Sequence, residues 1–478
     1  MLGAILGIES IAMFPSVLVA LRFQDGDAAV LALCCLILLI PGLLLWLLIR
    51  SGPGGHLRLR EGFIIVALGW LALSLGGALP FFLSGLYPRF EDAFFESVSG
   101  FTTTGATVLT VYEDFPRGIM FWRATTHWVG GMGVLVLTLA LLPRLTGRTS
   151  HLVRAESPGP SLSKLVPHTG TTAKLLYSIY ILLTFMEFLA LMLCGLNPYD
   201  AILHSFSNAG TGGFSNYASS IASFNNPAAE AVITFFMFLF GVNFALYYRF
   251  LIAPPQEKIR SFFQDEEFRW YFGITVGFIF LLTLLNLTFY EGSFLRSFRY
   301  SAFEICSVLS TTGFATSNFN HWSVASQMLV FFAMWIGACA GSTAGGIKVI
   351  RTVLAAKVCN RAIRATGQPR KVQVVRLDGK AVDEGMLHQI VVFICIYVFL
   401  VISGGFLLSL DSGFPAMDHL SAALTCVSNV GPAFGVLASD FAGYGVFGKI
   451  LCSFLMLAGR LELFPMLILF TRFAWKSH

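Results

Sequence analysis

Charged residues are scarce in this chain of 478 residues, of which Asp, Glu, Lys and Arg make up only 12%. Soluble domains contain about 25% charged residues, whereas 56% of this chain is hydrophobic and its mean hydropathy is +0.75. This scarcity excludes an ordinary soluble protein. It predicts a polytopic protein that lies in a lipid bilayer.

The motifs of common catalytic and metal sites are also missing. The sequence has no HExxH, no GxSxG and no pair of aspartates within its apolar segments. Its nine cysteines lie mostly among apolar residues and show no CxxC or CxxxH spacing, which is typical of small buried side chains. We therefore expect no enzymatic activity, no catalytic residues and no organic cofactor on this chain.

The few charges follow a pattern along the chain. There are 31 Lys and Arg residues against 26 acidic ones, a net charge of +5, and the basic residues cluster in 50–60, 144–174, 249–269 and 348–380. Basic connections of membrane proteins lie in the cytoplasm, which predicts that both termini are cytoplasmic. The long connections 144–172 and 361–384 are candidate docking surfaces for a soluble partner, although basic loops are normal on this face.

A run of hydroxyl residues and glycines, from Ser99 to Thr107, lies between two apolar segments. Similar runs return about every 100 residues, at 207–214, 310–316 and 428–434. Each run follows a short apolar segment, and the segment before Ser99 is only about half of the roughly 20 residues that cross a bilayer. The repeated order of span, half-helix, glycine-rich return and span predicts four copies of one module.

The predicted fold class is an all-α polytopic membrane protein. Four span–pore-loop–span modules surround one pore in a pseudo-fourfold arrangement, and two extra spans precede them. The predicted units are two N-terminal transmembrane helices in 1–60, pore module 1 in 61–143, a cytoplasmic loop in 144–172, pore module 2 in 173–253, a cytoplasmic loop in 254–269, pore module 3 in 270–360, a cytoplasmic loop in 361–384 and pore module 4 in 385–478. Continuous helices are predicted for the second spans of modules 2 and 4, over 228–249 and 447–470.

Backbone that is neither helix nor strand survives in a membrane only where it is buried in protein or lines water. Four returns at one depth suggest a ring of carbonyl oxygens, which replaces the hydration shell of a cation such as potassium. Glycine permits the turn, and threonine hydroxyls brace it. The predicted cation-binding residues are Thr103, Thr104, Gly105, Gly210, Thr211, Gly212, Thr311, Thr312, Gly313, Asn429, Val430 and Gly431. The alternative is four loops that serve packing alone.

Residues 341–348 superficially resemble a phosphate-binding loop. Ile347 separates Gly346 from Lys348, and no Ser or Thr follows the lysine, so the pattern argues against nucleotide binding. We interpret the segment as a break in the second span of module 3. Arg460 lies at membrane depth, where a charge usually faces the protein interior or water. It contacts either Glu462 or this loop.

Other polar residues lie within the half-helices or near them. The acidic ones either attract cations or hold the half-helices in place, and the histidines show no ligand spacing and are interpreted as hydrogen-bonded residues of the bundle. These residues are Asp92, Glu96, Asp200, Glu304 and Asp418, and His127, His204 and His419.

The four returns closely resemble a known family of pore loops. The runs 102–107, 211–215, 310–316 and 429–432 are similar to those of the TrkH/TrkG potassium-uptake proteins, relatives of the KtrB and HKT transporters, over essentially the whole chain. In that superfamily, glycine at all four selectivity positions goes with potassium and serine goes with sodium. The resemblance therefore implies potassium preference, through Gly105, Gly212, Gly313 and Gly431. Gly210 and Ala433 depart from the usual pattern and leave the strength of selectivity open.

The same resemblance implies a gate, a location and partners. It implies potassium uptake across the bacterial cytoplasmic (inner) membrane, by a homodimer that binds a cytoplasmic nucleotide-binding subunit similar to TrkA and no nucleic acid. The gate is an intramembrane loop with an arginine that bonds its carbonyls: Gly341, Ser342, Thr343, Ala344, Gly345, Gly346, Lys348 and Arg460.

Two alternatives stay open: a secondary carrier, and a channel of mixed potassium and sodium selectivity. A carrier for organic solutes would have inverted repeats, whereas these four modules share one orientation.

Overall fold

Helices make up most of the described structure. The structure is a computed structural model that describes residues 2–49, 59–112, 115–133, 169–254, 256, 258–368 and 373–472. A backbone inside hydrocarbon must satisfy its N–H and C=O groups within its own segment, and a helix does so. Six described helices are long and apolar enough to cross a membrane, and one bent pair supplies a further candidate.

Two helices, α1 (Leu2–Phe23) and α2 (Ala28–Ile49), pair at the start of the chain. Their backbones approach closely, because a Cβ on Gly42 would lie 2.9 Å from the carbonyl oxygen of Gly3. Small residues permit such crossings between membrane helices. The Ser10 hydroxyl also donates to the Cys35 carbonyl at 2.8 Å.

Module 1 contains α3 (Leu59–Leu83), α4 (Phe90–Phe101) and α5 (Arg117–Gly131). With 12 residues α4 is too short to cross a bilayer, and it is a buried half-helix. The second span of the predicted module 61–143 begins with α5. Its part after residue 133 lies outside the described residues, as do residues 144–168 of the predicted loop 144–172.

Module 2 contains α6 (Thr169–Leu193), the half-helix α7 (Pro198–Ala209), α8 (Pro227–Phe240) and α9 (Phe244–Ile252). The prediction of one continuous helix over 228–249 is wrong, because α8 and α9 meet at 90°. Asn243 caps α9 by accepting from the Ala245 N–H at 2.9 Å. The backbone groups freed at the bend bond residues of module 3: the Gly241 carbonyl accepts from Cys339 and the Phe244 N–H donates to Gly341, both at 3.0 Å.

The predicted loop 254–269 contains the short helix α10 (Lys258–Gln264) and the start of α11 (Glu266–Leu285). Module 3 continues with the half-helix α12 (Phe294–Leu309), α13 (Val324–Ile336) and α14 (Val349–Gly367). The break in its second span covers residues 337–348 and is longer than the predicted 341–348. After α14, strands β1 (Arg376–Leu377) and β2 (Lys380–Ala381) form a small antiparallel hairpin.

Module 4 contains α15 (Glu384–Leu408), the half-helix α16 (Ala416–Ser428), α17 (Val446–Arg460) and α18 (Phe464–Ile468). The prediction of one continuous helix over 447–470 is wrong, because α17 ends at Arg460. Glu462 and Leu463 then have φ of 55° and 66°, which a helix does not allow. This turn lets the Glu462 carboxylate reach Arg351 at 2.5 Å.

The four half-helices occupy equivalent places in the bundle. Each packs against the two spans of its own module and against the second span of the module before it. Thus α7 contacts α5, α12 contacts α8 and α16 contacts α13. The series closes, because α4 of module 1 contacts α17 of module 4. The modules therefore form a ring of four around one central axis.

Candidate functional site

The four glycine-rich returns share one backbone conformation. In each return, one residue near the end of the half-helix has a left-handed backbone although it is not glycine. Its φ lies between 54° and 56° at Thr103, Thr211, Thr311 and Asn429. Two residues later a glycine again has positive φ, between 76° and 111°, at Gly105, Gly213, Gly313 and Gly431. Left-handed residues other than glycine persist only where the surroundings hold them. All four of these are buried.

The residue between these two positions is tied back to its half-helix. Its N–H donates to the carbonyl five residues earlier in every module. These bonds are Thr104 to Ser99 at 2.9 Å, Gly212 to Ser207 at 2.9 Å, Thr312 to Ser307 at 2.8 Å and Val430 to Thr425 at 3.1 Å. The hydrogen bonds and the φ angles give the same register for all four returns.

This register corrects one assignment in module 2. Sequence alignment equates Gly212 with Gly105, but the geometry equates Gly213 with Gly105. Gly210, predicted as a binding residue, instead ends α7 with φ −68° and ψ −13°. Three glycines at positions 210, 212 and 213 make the alignment ambiguous, and the left-handed Thr211 resolves it.

The four turn glycines face the carbonyls of neighbouring modules in a closed cycle. A Cβ on Gly105 would collide with the Gly212 carbonyl oxygen, one on Gly213 with that of Thr312 and one on Gly313 with that of Val430. A Cβ on Gly431 would lie 2.7 Å from the Thr104 carbonyl oxygen and close the cycle. The four returns therefore surround one axis at the same depth, in contact with one another, and any side chain at these positions would disturb the ring.

Side-chain hydroxyls brace the returns. Thr102 and Thr104 share a hydrogen bond of 2.8 Å between their hydroxyls, and Ser310 and Thr312 share an equivalent one of 2.7 Å. The Asn429 amide reaches across to the Thr104 hydroxyl at 2.9 Å and joins module 4 to module 1. These bonds agree with the predicted bracing role of hydroxyl residues.

A buried ion pair lies behind the first return. Arg123 of α5 donates to the Glu96 carboxylate of α4 at 2.6 Å, and neither side chain is more than 3% exposed. Glu96 also accepts from the Thr107 hydroxyl at 2.9 Å, and Arg123 also donates to the Ser215 carbonyl at 2.9 Å. The pair thus links the returns of modules 1 and 2. Sequence reasoning missed Arg123, although a charge inside an apolar segment is a signal for such a site.

Other polar residues of the half-helices and their neighbours bond either their own module or an adjacent one, whereas Glu304 has a buried carboxylate oxygen with no hydrogen-bond partner among the described residues. Asp92 pairs with Lys449 at 2.5 Å, and Asp200 accepts from the Tyr217 hydroxyl at 2.9 Å. His204 bonds the Ser215 hydroxyl at 3.0 Å. In the described part of the chain, no group of three His, Cys, Asp or Glu side chains is placed to hold a metal ion.

The segment 337–348 lies against one side of the ring. The N–H of Gly345 donates to the Thr311 hydroxyl at 2.8 Å, and a Cβ on Gly345 would collide with the Ser428 carbonyl oxygen. The segment contacts the returns of modules 3 and 4 directly. Ser342, Thr343 and Ala344 are at most 7% exposed.

Two cationic side chains hold this segment. Arg460 donates to the Thr343 carbonyl at 2.7 Å, to the Gly131 carbonyl at 2.9 Å and to the Gly130 carbonyl. The Lys348 ammonium bonds the Ala344 carbonyl. Of the two contacts left open for Arg460, the structure shows the one to the loop, and the Glu462 carboxylate pairs with Arg351.

Comparison with known proteins agrees with this architecture. Residues 30–476 match the TrkH family, described as a cation transport protein. The potassium uptake protein TrkH of Salmonella typhimurium is 36% identical over 464 residues, which cover 96% of this chain and 95% of the relative. The chain belongs to the TrkH family. The Escherichia coli protein TrkG is 33% identical and covers 100% of this chain and 98% of its own length.

A solved structure extends the match to three dimensions. The crystal structure of the potassium transporter TrkH from Vibrio parahaemolyticus matches with a TM-score of 0.88 at 32% identity, over 99% of this chain and 98% of that one. The predicted fold class, four modules around one pore after two extra helices, is confirmed. Because the TrkH family is a family of transporters, the prediction that this chain is not an enzyme is confirmed as well.

Proposed function

We propose that this chain takes up potassium across the bacterial cytoplasmic membrane through the ring of four returns. The observation that carries the proposal is the closed cycle in which each turn glycine faces a carbonyl of the next module. Four backbones in contact around one axis supply carbonyl oxygens to an ion that has shed its water. The relatives named potassium uptake proteins support potassium as the transported ion.

The half-helices favour a cation at the same place. All four end directly before the ring, at Phe101, Ala209, Leu309 and Ser428. The carboxyl end of a helix carries a partial negative charge, and four such ends point their dipoles at one ion. In this proposal the ion is held by Thr103, Thr104 and Gly105 and their structural counterparts, with Gly213 in the place first assigned to Gly212.

The segment 337–348 acts as the gate of this pathway. It lies against the ring through Gly345 and is held by Arg460 and Lys348. Its small residues leave it able to move, and loss of the bonds that hold it opens the path. The proposed gate residues Gly341, Ser342, Thr343, Ala344, Gly345, Gly346, Lys348 and Arg460 therefore form one connected unit.

Two partners belong to the proposal. The chain forms a homodimer, and a cytoplasmic nucleotide-binding subunit similar to TrkA acts on the gate from the basic face. Support for this subunit comes from the family and from the basic connection that follows α14. Because α14 itself begins directly after the loop 337–348, a subunit bound to this connection is joined to the gate by one helix. The transported potassium is the only bound ion proposed, and both chain termini lie in the cytoplasm.

Growth of a host that lacks potassium uptake tests the proposal. Cells that express this chain together with a cognate regulatory subunit should grow at low potassium, and cells with an empty vector should not. Rescue by sodium and potassium alike would favour the channel of mixed selectivity. Failure of every alkali cation to support growth, with the protein present in the membrane, would contradict the conduction proposal.

A further inference from the structure

A basic cleft lies where α14 leaves the bundle. Its volume is about 250 Å³, and α14 and the segment before β1 form its walls. The cationic side chains that line it are Lys357, Arg361, Arg364 and Arg376. None of them belongs to the ring or to the loop 337–348, although three lie in the connection 361–384 that is also a candidate surface for the regulatory subunit.

Acidic residues neutralise only half of this charge. Lys357 pairs with Glu266, and Arg361 pairs with Glu384. Among the described residues, no carboxylate lies within ion-pair distance of Arg364 or Arg376, and both side chains are exposed. Within the described part of the chain, the Arg364 guanidinium donates to the Asn360 side chain alone, at 3.1 Å. The cleft therefore has a surplus of two positive charges and free donors for an anion.

The two ion pairs place the cleft at the edge of the membrane. Glu266 and Glu384 are the first residues of α11 and α15, and both helices are long and apolar enough to cross a bilayer. Arg361 and Arg364 lie four and seven residues after Lys357. Arg361 lies level with the start of α15 through its pair with Glu384, and at about 1.5 Å per residue Arg364 lies roughly 5 Å further along α14, which is within the lipid headgroup layer.

Apolar side chains accompany the charges. Ile363 is 73% exposed, Val374 is 51% exposed and Trp270 near the start of α11 is 49% exposed. Tryptophan is enriched at the membrane interface, and an exposed Ile and Val beside arginines suit a ligand that has acyl chains next to its phosphate.

We propose that this cleft binds the phosphate headgroup of an anionic phospholipid, phosphatidylglycerol, from the cytoplasmic leaflet of the membrane. Arg364 and Arg376 bind the phosphate, because arginine offers paired N–H donors to phosphate oxygens. The amides of Asn360 and Gln373 line the same cleft. Basic pockets between membrane helices on the cytoplasmic side bind the phosphate headgroups of other anionic lipids, such as cardiolipin. This site rests on the orientation adopted in the proposed function.

Lipid titration of the purified protein tests this site. The full chain is placed in nanodiscs of phosphatidylcholine with increasing phosphatidylglycerol, and native mass spectrometry counts the retained phosphatidylglycerol molecules. The variant Arg364→Gln/Arg376→Gln breaks no ion pair and should bind phosphatidylglycerol about 30-fold more weakly. The reason is that each basic residue near an anionic membrane surface contributes about fivefold in affinity. The matched control Arg89→Gln/Arg296→Gln removes two exposed arginines elsewhere and should bind like the unchanged protein.

The proposal would be overturned if the cleft variant and the control variant retained equal numbers of phosphatidylglycerol molecules, whether both matched the unchanged protein or both lost lipid to the same extent. It would also be overturned if the cleft bound inorganic phosphate but no phosphatidylglycerol, or if the cleft variant lost affinity only for a soluble regulatory subunit. The variant Arg364→Lys/Arg376→Lys keeps the charge and should recover at least part of the binding, which separates lipid contact from misfolding. Potassium-dependent growth is measured in parallel, so that a failure of transport is distinguished from a failure of lipid binding.

Discussion

The Arg460 guanidinium donates to the Thr343 carbonyl at 2.7 Å, and so the end of α17 holds the loop that lies against the ring. It also bonds the carbonyls of Gly130 and Gly131 at the end of α5. One side chain thus joins modules 1, 3 and 4 beside the ring. This position lets Arg460 stabilise one arrangement of the loop over others.

Replacement of Arg460 should therefore raise potassium flux. A hydrogen bond from a charged donor contributes about 1.5–3 kcal/mol, so Arg460→Ala should favour the open loop by about tenfold or more. Rubidium uptake into proteoliposomes measures the change. The control Arg296→Ala removes an exposed arginine and should leave the flux unaltered; unchanged flux in Arg460→Ala would remove the argument for the gate.

A shorter loop should have a similar effect. Deletion of residues 343–345 removes the Thr343 carbonyl that Arg460 bonds and the Gly345 N–H that bonds Thr311. Flux through the deletion variant should be higher, and adding Arg460→Ala to it should change the flux little, because both changes remove the same contact. Fully additive effects in the double variant would show that the two act separately.

The ion pair behind the first return should be important for stability. Glu96→Ala leaves the Arg123 guanidinium buried without its partner, and such losses cost about 3–5 kcal/mol. The melting temperature of the purified protein should fall clearly. The melting temperature of Glu96→Gln should fall less, because glutamine keeps a hydrogen-bond acceptor. Glu61→Ala removes a carboxylate on the first turn of α3 and is the control variant. A melting temperature equal to that of the unchanged protein would contradict this role.

The sequence contains enough information for the modular plan. Half-helices such as α4 are visible as apolar segments too short to span a bilayer, and the repeated glycines locate the returns. The contact between Arg460 and the loop also follows from a charge at membrane depth together with the family resemblance. These features are local patterns, or patterns that repeat.

Other features depend on contacts between distant segments. The backbone groups freed at the bend between α8 and α9 form hydrogen bonds with the loop of module 3. Residues 228–249 alone do not indicate that this loop lies beside them. The turn after α17 places the apolar Leu463 at φ 66°, which no propensity predicts. The pairing of Glu96 with Arg123 and the register at Gly213 likewise follow only from the packed ring.

The revised register makes a prediction of its own. Gly213→Ser should lower the permeability ratio of potassium to sodium as strongly as a change at Gly105, since its side chain would collide with the Thr312 carbonyl oxygen. Gly7→Ser is the control, because a Cβ there meets no atom within 4 Å. If potassium-to-sodium selectivity survived Gly213→Ser, the equivalence of the four returns would be wrong.

The central claim is that the four returns form one cation site, and the potassium-to-sodium permeability ratio of Gly105→Ser tests it most directly. The side chain would sit at φ 80° against the Gly212 carbonyl oxygen and displace a carbonyl from the ring. We predict that sodium becomes permeant and that the ratio, measured by ion flux into proteoliposomes, falls several-fold while the Gly7→Ser control keeps its ratio. An unchanged ratio in a folded Gly105→Ser protein would contradict the account.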